Sequence, residues 1–129
     1  MCVVLVEDEP LIREMLGEAL RDAGYDVLEV ENGRRAVELA RAPPRRFTGL
    51  VTDFHMPGGI DGYEVANEFR DAFPDIPVIV VSGRPDILDP RWQAERGFAT
   101  LRKPFRPSQL IESLRAVLPP HDPGPTPAV

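Results

Sequence analysis

The feature that most narrows the fold is a recurrence of short apolar runs, each followed by an amphipathic stretch. Residues 2–6, Cys-Val-Val-Leu-Val, are unbroken and rich in β-branched side chains, the signature of a central parallel strand buried on both faces. Pro10 suits a first helical position, and Leu11, Ile12, Met15, Leu16, Ala19, Leu20 and Ala23 recur at helical spacing until Gly24 supplies a stop. Strands are predicted at 25–30, 48–53, 77–82 and 98–102. Helices are predicted at 33–41, at 61–73 with Val65, Ala66, Phe69 and Phe73 on one face, and at 107–118 with Leu110, Ile111, Leu114, Val117 and Leu118 inward. Pro85 and Pro90 interrupt the helical pattern of 86–96, which predicts a short or mobile element there.

Five strands alternating with five helices imply an α/β fold with right-handed crossovers. The expected form is a flavodoxin-like five-stranded parallel sheet, order 2-1-3-4-5, with helices on both faces. At 129 residues one domain is expected, spanning 1–118. The eleven residues 119–129 include five prolines and predict a disordered tail.

No apolar run approaches the roughly 20 residues of a membrane span, and acids stand near the N-terminus where a signal peptide carries bases, so a cytoplasmic protein is expected. Cys2, the single cysteine, reads as a buried strand thiol. A net charge of −6 argues against a nucleic-acid surface. The charge is polarised: residues 1–31 hold nine acids against Arg13 and Arg21, a balance of −7, whereas seven bases against Asp86, Asp89, Glu95 and Glu112 leave residues 84–115 at +3.

In an open parallel sheet, function gathers at the carboxyl ends of the strands, where strand order reverses. Glu7-Asp8-Glu9 follows strand 1, Asp53 ends strand 3, Ser82-Gly83 ends strand 4, and strand 5 runs into Lys103-Pro104. As helix-dipole complements alone, the three acids would leave Asp53 unexplained. Carboxylates packed together cost several kcal/mol unless a cation neutralises them, which predicts a hard divalent ion, Mg²⁺ foremost. One lysine is a poor match for so much negative charge, but it suits one oxygen of a phosphoryl group.

Val4-Leu5-Val6-Glu7-Asp8-Glu9-Pro10, Asp53-Phe54-His55-Met56-Pro57 with Asp61-Gly62, Val80-Val81-Ser82-Gly83 and Lys103-Pro104-Phe105 together resemble the receiver domains of two-component response regulators, over roughly residues 2–118. The resemblance implies that Asp53 accepts a phosphoryl group from a histidine kinase or a histidine phosphotransfer protein. It implies Mg²⁺ ligated by Asp8, Asp53 and the main-chain carbonyl of His55, with Glu7 acting through water. Lys103 would pair with a phosphoryl oxygen and the Ser82 hydroxyl would bond another. Phosphorylation would then switch a face built from the fourth helix, fifth strand and fifth helix, for a downstream partner or a second copy. His55 and Arg84 would modulate the lifetime of the phosphorylated state, Trp92 could touch a partner, and Pro104 favours a cis peptide.

Three features depart from the family pattern. Glu7 stands where Asp is commoner, and Gly58-Gly59 lengthens the loop after the acceptor. Thr100 occupies the position, three before Lys103, of the usual aromatic switch; Phe98 shares its facing and is the candidate substitute.

Rival functions fit less well. A haloacid-dehalogenase-type phosphatase wants a second acid two positions after the nucleophile, where this chain has His55. A flavin carrier wants a phosphate-binding loop after strand 1, where Glu7-Asp8-Glu9 would repel it. A pseudo-receiver that binds partners constitutively is opposed by the intact set of Asp8, Asp53, Ser82 and Lys103. A receiver excised from a hybrid histidine kinase is a further alternative, although Met1 directly before strand 1 favours a stand-alone protein.

Overall fold

A computed structural model describes residues 2–83 and 97–118. The expected helix at 86–96, Arg84, Trp92 and the tail 119–129 lie outside them. The first apolar run forms β1 (Cys2–Val6), with all five side chains buried. It is followed by α1 (Pro10–Asp22), β2 (Asp26–Val30), α2 (Gly33–Arg41), β3 (Gly49–Asp53), α3 (Gly62–Ala72), β4 (Val78–Ser82), β5 (Ala99–Arg102) and a last helix, α4 (Pro107–Val117). The strands form one parallel sheet in the order β2-β1-β3-β4-β5, as expected.

Alternation along each strand divides the core into two layers. Val4, Val6, Leu50, Val78, Val80 and Phe98 pack with Ala36, Ala40, Val65, Ala66 and Phe69 of α2 and α3. On the opposite face Val3, Leu5, Val51, Ile79 and Val81 pack with Leu16 and Leu20 of α1 and with Leu110 and Leu114 of α4. Burying each such side chain contributes about 1.5–3 kcal/mol, so the two layers supply most of the drive that seats the strands in register.

Local signals set the helix ends. Pro10 opens α1, and Gly24, at φ 99°, closes it while Tyr25 N–H bonds the Leu20 carbonyl. Asn32 caps α2 by accepting from the Arg35 amide at 2.8 Å, and Asp61 caps α3 by accepting from the Glu64 amide at 2.9 Å.

The apolar stripe of α1 is narrower than the sequence pattern. Leu16 and Leu20 face the sheet, but Leu11 is 81% exposed and Met15 49%. At about 100° per residue, Leu11 falls on the face opposite Leu16 and Leu20 and Met15 well away from them, so the sheet reaches neither.

Candidate functional site

The register brings the strand ends together. Val6 pairs with Thr52, placing Glu7 beside Asp53, and Asp53 pairs with Val81, one residue before Ser82. Beyond the ladder, Phe54 N–H bonds the Val81 carbonyl at 2.8 Å and Lys103 N–H bonds the Ser82 carbonyl at 2.9 Å. Four segments distant in sequence therefore converge on one rim at the β1/β3 reversal, where such sheets place their ligands.

Three of the predicted residues form a compact acidic set. Carboxylate oxygens of Glu7, Asp8 and Asp53 lie within 4.8 Å of one another, a spacing that one oxygen-loving cation can span. Glu7 and Asp53 are buried, at 3% and 7% exposure, while Asp8 is half-buried at the mouth. Glu7 Oε2 accepts the Glu9 amide at 3.1 Å. Its longer side chain also lets Oε1 meet Lys103 Nζ at 3.4 Å.

Lys103 enters the same cavity. Its ammonium lies 3.0 Å from Asp53 Oδ1, and the Lys103–Pro104 peptide is cis, as the sequence suggested. Burial pushes the Asp53 carboxyl up to about 7, against the hydrogen bond from Lys103, and the neighbouring Glu7 charge adds to the rise. Burial alone would depress Lys103, but its hydrogen bond to Asp53 and the charges of Asp53 and Glu7 outweigh that, so it is held above the ordinary lysine value. The pocket thus strains to hold two carboxylates with one cation. This is the electrostatic state that a divalent ion relieves, and the donor set fits one.

The remaining predicted residues are placed as follows. Ser82 is buried at the end of β4, on the same rim. His55 is exposed, its ring stacked on Phe54 at 5.1 Å with planes 15° apart. Gly58 and Gly59, both at positive φ, carry the exposed turn beyond it. Thr100 is half-buried in β5 opposite Val80. Phe98 is fully buried, edge-on to Tyr63 at 5.9 Å, with the Arg70 guanidinium 5.0 Å over its ring. It is a core residue, packed in the layer that the sheet shares with α2 and α3.

Two further residues bear on the site: Gly62, quoted in sequence only as part of a motif and without a role, and Arg13, which was not singled out. Gly62 starts α3 against the end of β3: an added Cβ would strike the Asp53 carbonyl and lie 2.7 Å from Phe54 Cα. Arg13 Nη1 donates to the Glu7 carbonyl at 2.8 Å, a contact with main chain that residue types alone do not signal.

Comparison with known proteins agrees with this geometry. Residues 3–115 match the family described as response regulator receiver domain. The response regulator receiver protein CpdR of Brucella abortus is 33% identical over 117 residues, 90% of this chain and 95% of that protein. Other relatives are longer: the transcriptional regulatory protein DctD of Pseudomonas aeruginosa is 35% identical over 90% of this chain, but the match spans 25% of its own length. Among solved structures, a response regulator receiver protein from Sinorhizobium medicae superposes with a TM-score of 0.80 at 29% identity, covering 91% of this chain and 93% of the other. The response regulator TrrA of Thermotoga maritima, in complex with Mg(2+)-BeF, gives a TM-score of 0.74 at 28% identity, covering 91% and 98%.

Proposed function

The chain belongs to the response regulator receiver domain family, and on that premise we propose that Asp53 accepts a phosphoryl group from a histidine kinase or histidine phosphotransfer protein in a Mg²⁺-dependent reaction. The observation that carries this reading is the convergence of the Glu7, Asp8 and Asp53 carboxylates with the Lys103 ammonium, 3.0 Å from Asp53, in one cavity.

Asp8 and Asp53 would hold the metal directly, with the His55 main-chain carbonyl, and Glu7 through water. The TrrA complex, with an ion and a phosphoryl-like group bound together, supports Mg²⁺ for a site of this kind. Bound there, Mg²⁺ supplies charge that offsets the phosphoryl oxygens and orients them. The chain's own residues do the rest. Asp53 reacts as the carboxylate, the form that Lys103 favours. One of its oxygens bonds phosphorus as the bond to the donor imidazole nitrogen breaks, and the electron pair leaves with the imidazole. Charge on the equatorial oxygens of the loose transition state is met by the Lys103 ammonium and the Ser82 hydroxyl, while the buried rim limits water.

The donor must bring its histidine to this rim. Leu11 and Met15, exposed on the first turns of α1 next to Asp8, offer it an apolar foothold. Output is assigned to the basic face of residues 84–115, whose described part comprises β5 and most of α4, for a partner protein or a second copy. Amide NMR with Mg²⁺ and beryllofluoride tests the site. Shifts clustered at Asp53, Ser82 and Lys103 are expected, and their persistence in Asp53→Asn would refute the assignment.

A further inference from the structure

Arg13 stands out among the bases near the acidic N-terminus because it turns away from solvent. Its side chain is 19% exposed, and Nη1 donates to the main-chain carbonyl of Glu7 at 2.8 Å. That carbonyl begins the turn carrying Glu7 and Asp8 from β1 into α1, and within the same turn the Glu9 amide bonds the Glu7 carboxylate at 3.1 Å. A guanidinium bonded to a main-chain oxygen fixes backbone, and here it is the backbone that aims two of the three clustered carboxylates.

The guanidinium is itself braced. Glu29, on the edge strand β2, places Oε1 3.9 Å from Arg13 Nε and accepts from Arg21 Nη1 through Oε2 at 2.8 Å. Arg21 in turn donates to the Val27 carbonyl at 3.1 Å, which ties the arrangement to β2. The Glu29 carboxylate fits because residue 17 is glycine. A Cβ at Gly17 would overlap Oε2, sit 2.9 Å from Glu29 Cδ and 3.2 Å from Arg21 Nη1. Gly17 is buried inside α1, where glycine is less favourable than alanine, and the space it leaves is where Glu29 reaches the helix.

We propose that Arg13, paired at 3.9 Å with the Glu29 carboxylate that fills the space beside Gly17, is a positioning residue that sets the Glu7–Asp8 turn and thereby the affinity of the site for a divalent cation. The proposal rests on the receiver reading of the site. A partner of this kind typically changes metal affinity by roughly 10–100-fold when removed. The sign separates positioning from simple charge. Arg13 is a cation near a cation site, so as a charge alone its removal would tighten Mg²⁺ binding; as a positioning residue its removal weakens it.

The test is Mg²⁺ titration by calorimetry on the intact chain, with wild type, Arg13→Ala, Arg13→Lys and Glu29→Ala. Expected is a loss of about tenfold for Arg13→Ala and a smaller one for Glu29→Ala. Arg13→Lys keeps the charge but loses the fork, so a partial loss is expected there too. In the metal-free protein the Asp8 and Glu9 amides should exchange faster in Arg13→Ala, while amides of β4 do not change. Unchanged or tighter Mg²⁺ binding in Arg13→Ala overturns the proposal. Should that variant not fold, wild-type affinity in both Arg13→Lys and Glu29→Ala overturns it equally. Failure of the wild type to bind Mg²⁺ overturns the receiver reading itself, and the proposal with it.

Discussion

The Lys103 ammonium stands 3.0 Å from the Asp53 carboxylate, yet Asp53 holds its proton up to about pH 7. The ion pair is real but outweighed: burial and the adjacent Glu7 carboxylate raise Asp53 by more than one lysine can lower it. On the proposed function, a cation bound at such a site would favour the carboxylate form of this buried acid, the form that acts as nucleophile.

Metal-free stability should therefore depend on Asp53. Its folded value lies above the ordinary 3.8, so the native state binds the proton more tightly than the unfolded chain between the two values. Stability from this group is fully present below about pH 4 and is lost as pH rises through 7. Asp53→Asn should raise the unfolding free energy near pH 8 by on the order of 2–4 kcal/mol and flatten that part of the profile. Urea melts from pH 5 to 8, with and without Mg²⁺, check it; Mg²⁺ should restore stability to wild type and not to the variant.

Lys103→Met should separate binding from chemistry. Without its ammonium the carboxylates lose a competing cation, so Mg²⁺ affinity should rise roughly three- to tenfold. Labelling by acetyl phosphate should fall about a hundredfold, because a preorganised partner for the phosphoryl oxygens is gone. Calorimetry and labelling rates on the same preparation give the two opposite signs.

Gly62→Ala should lower stability by about 1–3 kcal/mol or prevent folding, since its Cβ meets the Asp53 carbonyl and Phe54 Cα, backbone atoms that a rotamer change cannot move. Thermal melts against Gly83→Ala, whose Cβ would meet nothing among the described residues nearer than Lys103 Cβ at 3.8 Å, provide the control.

Phe98 should stay still when the site is filled. Its ring is wedged between Tyr63 and Arg70 in the core, and Thr100 offers no ring above it. Aromatic NMR should show Phe98 shifting no more than Phe69 on adding Mg²⁺ and beryllofluoride. A large shift confined to Phe98 would mark it as the switch in place of the missing ring.

Leu11→Asp and Met15→Asp should leave acetyl phosphate labelling within twofold of wild type, because neither side chain enters the cavity. Transfer from a protein donor should fall tenfold or more, the usual scale for a central apolar contact. Paired assays with the small and the protein donor decide it.

Much of this was legible in sequence because the strands are solid Val/Ile/Leu runs and the chemical residues follow them directly, so one topology delivers Glu7, Asp8, Asp53, Ser82 and Lys103 to one rim. Three features were not legible, for different reasons. Leu11 and Met15 share helical spacing with each other, but they lie off the face of Leu16 and Leu20, and only that face meets the sheet. Phe98 and Thr100 share a facing, yet Phe98 is fully buried against Tyr63 and Thr100 only half-buried, a difference in depth that strand alternation does not reveal. Arg13 bonds a main-chain carbonyl, and no pairing of side chains announces that.

The central claim, that Asp53 is the phosphoryl acceptor, is tested most directly by intact mass after incubation with acetyl phosphate and Mg²⁺. Wild type should gain one phosphoryl group, about 80 Da, that hydroxylamine removes and chelation of Mg²⁺ prevents. Asp53→Asn should gain nothing. A folded wild type that stays unlabelled, or a variant that takes up the same hydroxylamine-sensitive group, would contradict it.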